Sequence, residues 1–422
     1  MSDSAIPPPD RALEVAAVIG FGIARRAIWS GERCGWLDGV PVLPGQNPAV
    51  SAMVGVDVYG GTAGIGWFLA QAAARIADPL LARTARGALR QAAARADDHL
   101  AYSPHGFYGG AAGAGAALVL AGQELGDAQA VEAGRALLLR VPLVAADPLA
   151  TDLISGLAGT VLALSLAAAA LGGDAVLLAR AGEAAGALLA MGQRDAVGTL
   201  SWATIADRRA NLAGFGHGAA GIAHALILLN ALAPDDRWTE AAAAAAAYER
   251  GLFDAGQANW PDFRIFPGYS SDQVYFPIAW CHGAPGIVRS RMLAEAIGGF
   301  DVAADLAAGL STTAREAERG FRLPGTDFTL CHGVLGLADA LLDAARQGRA
   351  EHGALVTAIA GFAAAAFHDE EMPWPSGLLT REEMNGLMMG NAGIGHFYLR
   401  LADPGLESVL APGAGLVRAA RG

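Results

Sequence analysis

The sequence predicts an all-α fold, an (α/α) toroid of seven inner and seven outer helices. Three observations point to it. A Gly-x-x-Gly unit recurs seven times, with first glycines at Gly61, Gly110, Gly156, Gly218, Gly283, Gly333 and Gly390, so that successive copies lie 46 to 65 residues apart. Each step has room for two helices of average length and their loops. Apolar stretches follow the pairs, such as Thr160–Leu171 and Ile222–Leu232, and helices apolar on every side must be buried on every side. More amphipathic segments alternate with them, and strand-like alternation is scarce.

Taken in order, the first glycine of each pair permits a sharp turn into a helix. The second, one turn later, is expected to let neighbouring backbones approach closely. The amphipathic partners read as Pro79–Leu100, Asp174–Met191, Arg237–Gly251 and Asp301–Gly320. Several begin at an aspartate that can cap the free amides of a first turn, and Asp78-Pro79 is a cap followed by a proline suited to the first helical position. Residues 1–45 read as an N-terminal extension with the first outer helix, 46–410 as the toroid and 411–422 as a tail. An open superhelical solenoid is the competing geometry, but the irregular steps and all-apolar inner helices favour closure. The long insertions Val197–Gly216 and Gln257–Ile278 would project from one rim, where loops on a rigid scaffold usually carry the substrate contacts.

Composition narrows the function. The 422 residues are 53% hydrophobic and 17% charged, and the formal net charge is −12. With no basic stripe, nucleic acid and anionic membranes are poor partners. Three cysteines form no closed disulfide framework, which fits a reducing cytoplasm. Met1–Asp10 is polar and proline-rich, with no secretory pattern. Leu153–Gly173 and Leu212–Pro234 are long enough to span a bilayer, but they are rich in small residues and lack flanking anchors, so buried helices explain them better. The glycine-rich segments lack the lysine and spacing of a phosphate loop, and no Gly-x-Ser-x-Gly element occurs.

The polar chemistry collects just before the repeated glycines. The two positions preceding each first glycine read Tyr59-Gly60, Tyr108-Gly109, Ile154-Ser155, Gly216-His217, Cys281-His282, Cys331-His332 and Met388-Met389. Repeats four, five and six therefore bring His217, His282 and His332 to one arc. Cys281, Cys331 and His332 make a three-ligand zinc set with an open fourth position, as a catalytic zinc requires. His282 is an alternative third ligand. It is also the fourth ligand if the zinc is a closed staple, and a buried thiol pair without metal is a further reading. Cys34, far upstream, reads as structural. A zinc with an open position would lower the pKa of an incoming thiol from about 8.5, and the natural reaction is attack of that thiolate on an electrophile. Conjugate addition then needs a proton at the carbon next to the carbonyl. His217 is the best acid–base candidate, with Asp152 to orient it; a plain helix cap and a core histidine are the structural readings of the two. A glycoside hydrolase needs two facing carboxylates, and Asp152 has no evident rim partner.

These residues resemble a known family, the lanthionine synthetase cyclases or LanC-like proteins. The matching elements are Gly214-Phe215-Gly216-His217-Gly218-Ala219-Ala220-Gly221, Trp280-Cys281-His282-Gly283-Ala284-Pro285-Gly286, Leu330-Cys331-His332-Gly333 and Gly390-Asn391-Ala392-Gly393-Ile394-Gly395. The resemblance spans about residues 50 to 410. It looks strongest to the cyclase half of bifunctional LanM-type enzymes, including Asn259-Trp260-Pro261-Asp262-Phe263-Arg264. It implies an (α/α) toroid with a catalytic zinc that adds peptide cysteines to dehydroalanine or dehydrobutyrine, giving (methyl)lanthionine rings. Carried over by position, Cys281, Cys331 and His332 are the ligands, His217 the acid–base group, Asp152 its partner and His282 a supporting residue. The chain has no room for a dehydratase domain, so a separate dehydratase is expected to supply the dehydrated precursor peptide. Pro277 stands where free-standing cyclases often carry an arginine. Addition of a small thiol such as glutathione to dehydrated protein residues, and a silent scaffold that docks peptide or dehydratase, are the alternatives.

Overall fold

The computed structural model describes residues 9–41, 49–266, 272–376 and 383–419. The chain is mostly helical, and its only strands among these residues are three short hairpins. All seven glycine pairs open a helix. The seven apolar helices run Thr62–Ile76, Ala111–Glu124, Leu157–Ala170, Ala219–Leu232, Ala284–Ile297, Val334–Arg346 and Asn391–Ala402. Each begins directly after its first glycine.

No side chain caps six of these helices, where a glycine holds the cap position. The free first-turn amides are instead taken by carbonyls of the lead-in loop seven residues back. Ala63 donates to Val56, Ala158 to Thr151, Ala219 to Leu212 and Val334 to Asp327, at 2.9 to 3.2 Å. This wrap corrects the role expected for the second glycine. A Cβ on Gly64, Gly159, Gly221, Gly286, Gly336 or Gly393 would lie 2.0 to 2.2 Å from the carbonyl oxygen of the residue six positions earlier. The close approach is chiefly to each repeat's own loop. Neighbouring repeats come near as well, as at Gly286, where the Cβ of Phe215 would be 2.6 Å away.

The chain divides into two compact units. The first draws on Met1–His99, Ala117–Ala136 and Glu316–Leu410. Here the first helix, Pro9–Arg26, packs against the last apolar helix, Asn391–Ala402, which also packs on Thr62–Ile76 and Val334–Arg346. The seventh repeat thus sits between the sixth and the first. Backbone hydrogen bonds repeat that order in the loops: Cys331 N–H donates to Met388 and Met388 N–H to Tyr59. An open solenoid would leave the first and last repeats apart.

The second unit draws on Leu100–Ala116, Leu137–Arg315 and Ala411–Gly422. Leu157–Ala170 packs on Ala219–Leu232, and Ala219–Leu232 on Ala284–Ile297. Loop joins again link neighbours, Phe107 to Leu153 and Gly216 to Cys281.

The half-exposed helices include Pro79–Ala94, Ala175–Ala190 and Asp236–Leu252, each capped by an aspartate, Asp78, Asp174 or Asp235. The predicted Pro79–Leu100 segment breaks at Arg95 and resumes as Ala96–Tyr102. Asp301 pairs with Arg250. Leu157–Ala170 and Ala219–Leu232 are buried 14-residue helices, too short to span a bilayer. A third stretch, Ala350–His368, is apolar and long enough by composition; it packs beside Val334–Arg346 and is one-third buried. The two long insertions pair with each other, Arg209 N–H donating to Phe263 and Ile265 N–H to Asp207. Residues 1–8 of the proline-rich start and 267–271 of the second insertion lie outside the described residues.

Candidate metal and acid–base site

Asp152 and His217 sit in the loops leading into two adjacent apolar helices of the second unit. His217 Nδ1 lies 2.6 Å from Asp152 Oδ2. The other oxygen, Oδ1, accepts the Ser155 amide at 2.8 Å. The turn-capping and histidine-orienting readings of Asp152 are therefore both met, one by each oxygen. Asp57, at the equivalent place in the first repeat, caps its turn in the same way through Gly60 and Gly61. Burial disfavours the imidazolium of His217, yet the hydrogen bond and charge of Asp152, with Cys281 adding, outweigh it. Its pKa is raised above the ordinary 6.5.

The loop that carries His217 is fixed from below by a buried charge cluster. Glu249 is fully buried, and one carboxylate oxygen accepts both the Gly214 and the Ala220 amides at 2.9 Å. The other accepts Arg291 at 2.9 Å, and Arg291 also bonds Asp305. An unpaired buried charge would be strongly destabilising; here every partner is a neighbour with a defined place. Gly216 N–H then donates to the Cys281 carbonyl at 3.1 Å, which sets His217 beside the first cysteine loop.

That cysteine loop departs from the other six. The Ala284 amide is accepted by the Asn259 side chain at 2.9 Å, and the Asn259 amide group donates to Phe276 and Pro277. Asn259 thus inserts between a helix amide and the carbonyl that accepts it elsewhere. Gly283 takes a left-handed φ of 82°, where Gly61, Gly156, Gly218, Gly333 and Gly390 are extended. A side chain there would meet the Pro277 oxygen at 2.1 Å.

Cys281 is buried, and the ring of His282 stacks on His217 at 5.7 Å between centroids. Asp262 Oδ2 is 3.8 Å from His282 Nδ1, and Arg264 grips the Asp262 carboxylate at 2.6 to 3.1 Å. Neither ring nitrogen of His282 has a hydrogen-bond partner among the described residues. Burial pushes its pKa down to about 4, so it is neutral at pH 7.

In the first unit, Cys331 Sγ and His332 Nε2 lie 3.7 Å apart, and His332 Nδ1 faces the Met389 sulfur at 3.2 Å. Two such donors on one tetrahedral zinc stand about 3.5 Å apart at normal bond lengths, so this pair fits a shared ion. Asp327 holds the loop by accepting the Thr329 amide and hydroxyl. Cys331 and His332 in this unit, like Cys281 in the other, are of the residue types that hold zinc. Cys34 is remote from this chemistry: it is buried against the Thr84 carbonyl, and burial pushes its thiol up to about 12.

Glu249, Asn259, Asp262 and Arg264 were not assigned roles from the sequence. The last three lie in the Asn259–Arg264 stretch that carries part of the family resemblance, which was the available signal. Several histidines without a visible sequence partner have one in the fold. His396 meets Gln71 at 2.9 Å, His105 meets Thr160 at 3.3 Å, and His224 meets the Pro412 carbonyl at 3.2 Å.

Helices opened by glycine pairs, with cysteine or histidine at the heads of three of them, define a class of all-helical repeat proteins. The family described as Lanthionine synthetase C-like protein matches residues 52–412. Among solved structures, nisin cyclase matches with a TM-score of 0.58 and 15% identity, over 92% of this chain and 93% of that one. A search of curated proteins gives no match. The chain belongs to the lanthionine synthetase C-like family, and its fold is the all-α toroid expected from the repeat.

Proposed function

We propose that this protein is a zinc-dependent lanthipeptide cyclase, which adds peptide cysteine thiols to dehydroalanine or dehydrobutyrine to close thioether rings. The observation that carries the reading is the His217–Asp152 pair at 2.6 Å, tied through Gly216 to the Cys281 loop. Family membership supports it. Cys281, Cys331 and His332 would hold the zinc, His217 would be the acid–base residue, and His282 a neutral support beside it. The cyclase domain is assigned to 46–410, with 1–45 and 411–422 as flanks. The dehydrated precursor comes from a separate dehydratase, and the protein acts in the cytoplasm.

Held by Cys281, Cys331 and His332, a zinc would supply the Lewis acidity needed to keep an incoming cysteine sulfur deprotonated at neutral pH. The chain's own residues complete the addition. Asp152 holds the Nδ1 proton and favours the imidazolium, so the Nε2 proton of His217 is available to the α-carbon once sulfur has attacked the β-carbon. Solvent then reprotonates the ring.

The test is thiol loss from dehydrated, leader-bearing peptides incubated with intact protein and with Cys331→Ala. Cyclisation leaves mass unchanged, so free thiols are counted by alkylation and mass spectrometry. Loss of thiols with intact protein alone is expected. Unchanged thiols across the peptide set with zinc bound would overturn the reading, and rapid capture of glutathione instead would favour small-thiol addition.

A further inference from the structure

We propose that Arg264 is a substrate-binding residue whose free guanidinium edge holds the carbonyl oxygen of the dehydroamino acid. This deepens the cyclase reading above and rests on it.

The guanidinium is oriented before any substrate arrives. Asp262, itself buried, accepts its Nε and Nη2, and also its backbone amide at 3.0 Å. The Phe266 ring lies against its face at 5.0 Å. The strand-like joins from Arg209 to Phe263 and from Ile265 to Asp207 fix the backbone on both sides. Two of the three nitrogens are committed. Nη1 has no hydrogen-bond partner among the described residues, and the side chain remains 29% exposed.

The Asp262 carboxylate that it grips lies 3.8 Å from His282 Nδ1, and His282 stacks on His217, which places Arg264 two side chains from the proposed acid–base residue.

The addition develops negative charge. The peptide thiolate forms a bond to the β-carbon, and the π pair of the alkene moves to the α-carbon and onto the carbonyl oxygen as an enolate. His217 then delivers a proton to the α-carbon, the carbonyl reforms, and no other reactant is consumed. A donor aimed at that oxygen is worth most in the transition state.

The test uses zinc-loaded full-length protein and a synthetic peptide bearing one dehydroalanine and one cysteine. Single-turnover ring closure would be compared for intact protein, Arg264→Lys, Arg264→Gln and Arg264→Ala. Arg237→Gln, at an exposed pair with Asp235 on a helix surface, is the control. Loss of one such donor costs about 100-fold in rate. Arg264→Gln and Arg264→Ala should therefore fall by about that factor, with Arg264→Lys intermediate, zinc content unchanged and Arg237→Gln normal. Added guanidinium ion should restore part of the Arg264→Ala rate, which a merely structural role would not allow. Ring closure by Arg264→Gln at the intact rate, or a loss that tracks only thermal stability and resists guanidinium, overturns the inference while leaving the cyclase reading in place. No ring closure by intact protein on this peptide or on dehydrated leader-bearing peptides would overturn both.

Discussion

Replacing Gly286 by alanine sets two opposed effects against each other. Gly286 lies in the first turn of Ala284–Ile297, where alanine is favoured over glycine by about 1 kcal/mol. The new Cβ would stand 2.1 Å from the Trp280 carbonyl oxygen and 2.6 Å from the Phe215 Cβ, whereas real Cβ contacts almost never fall below 3.0 Å. The backbone at Trp280 must move by about 0.9 Å, and Phe215 must shift as well. Both obstacles are close to the backbone of packed loops, so no rotamer change relieves them. Strain and lost packing of this kind cost about 3–5 kcal/mol, which exceeds the propensity gain. For a chain of this length each kcal/mol moves the melting temperature by roughly 1–2 °C, extrapolating from smaller domains. With the propensity gain subtracted, thermal unfolding followed by circular dichroism should show a fall of roughly 2–8 °C for Gly286→Ala. Gly182→Ala is the matched comparison, since nothing lies within 4 Å of its Cβ in Ala175–Ala190. It should melt slightly above the parent. A Gly286→Ala protein as stable as the parent would refute the account of the second glycine.

Asp152→Asn removes the charge that raises the His217 pKa while keeping a similar shape. It should slow ring closure by about 10²–10⁴-fold, by analogy with acid–base histidines that lose their carboxylate, in a steady-state rate assay. If protonated His217 is required, the rate falls as pH rises through a pKa above 6.5, and Asp152→Asn moves that limb to lower pH. The same linkage makes the Asp152–His217 contribution to stability full below pH 6.5 and progressively lost above it as pH passes the folded pKa. Glu249→Ala should lower both stability and rate, because it removes one of the two carboxylates that hold Arg291 and frees the Gly214 and Ala220 amides together; Glu249→Gln, which retains an acceptor oxygen, should lose less. In folded, metal-free protein Cys34 should resist alkylation at pH 8 under conditions that modify it after unfolding, as mass mapping would reveal, since its thiol is held at about 12.

The seven helix starts were legible because each carries its own local signal, a glycine at the turn and another where the lead-in loop folds back. Asp152 and His217 were legible by the same logic, as polar residues at fixed offsets from those glycines in otherwise apolar surroundings. What acts across the sequence was hidden. Glu249 reaches loops 29 and 35 residues away, and no spacing rule marks it. Asn259 replaces a backbone carbonyl as acceptor for the Ala284 amide, a substitution visible only when the other repeats are seen in three dimensions. The packing of Pro9–Arg26 against Asn391–Ala402 pairs the start of the described chain with the last repeat, a contact that sequence order alone does not reveal. The second glycines were expected to serve neighbouring helices, since the period reveals a close approach without revealing to what.

The most direct test of the central claim is X-ray absorption at the zinc edge of the loaded protein, with and without a dehydrated cysteine-containing peptide. The account predicts two sulfurs at about 2.3 Å and one imidazole nitrogen at about 2.0 Å, with a third sulfur on adding peptide. Cys331→Ala should bind zinc weakly or lose one sulfur. A saturated set of four protein ligands, unchanged by peptide, would mean a structural staple and would contradict the account.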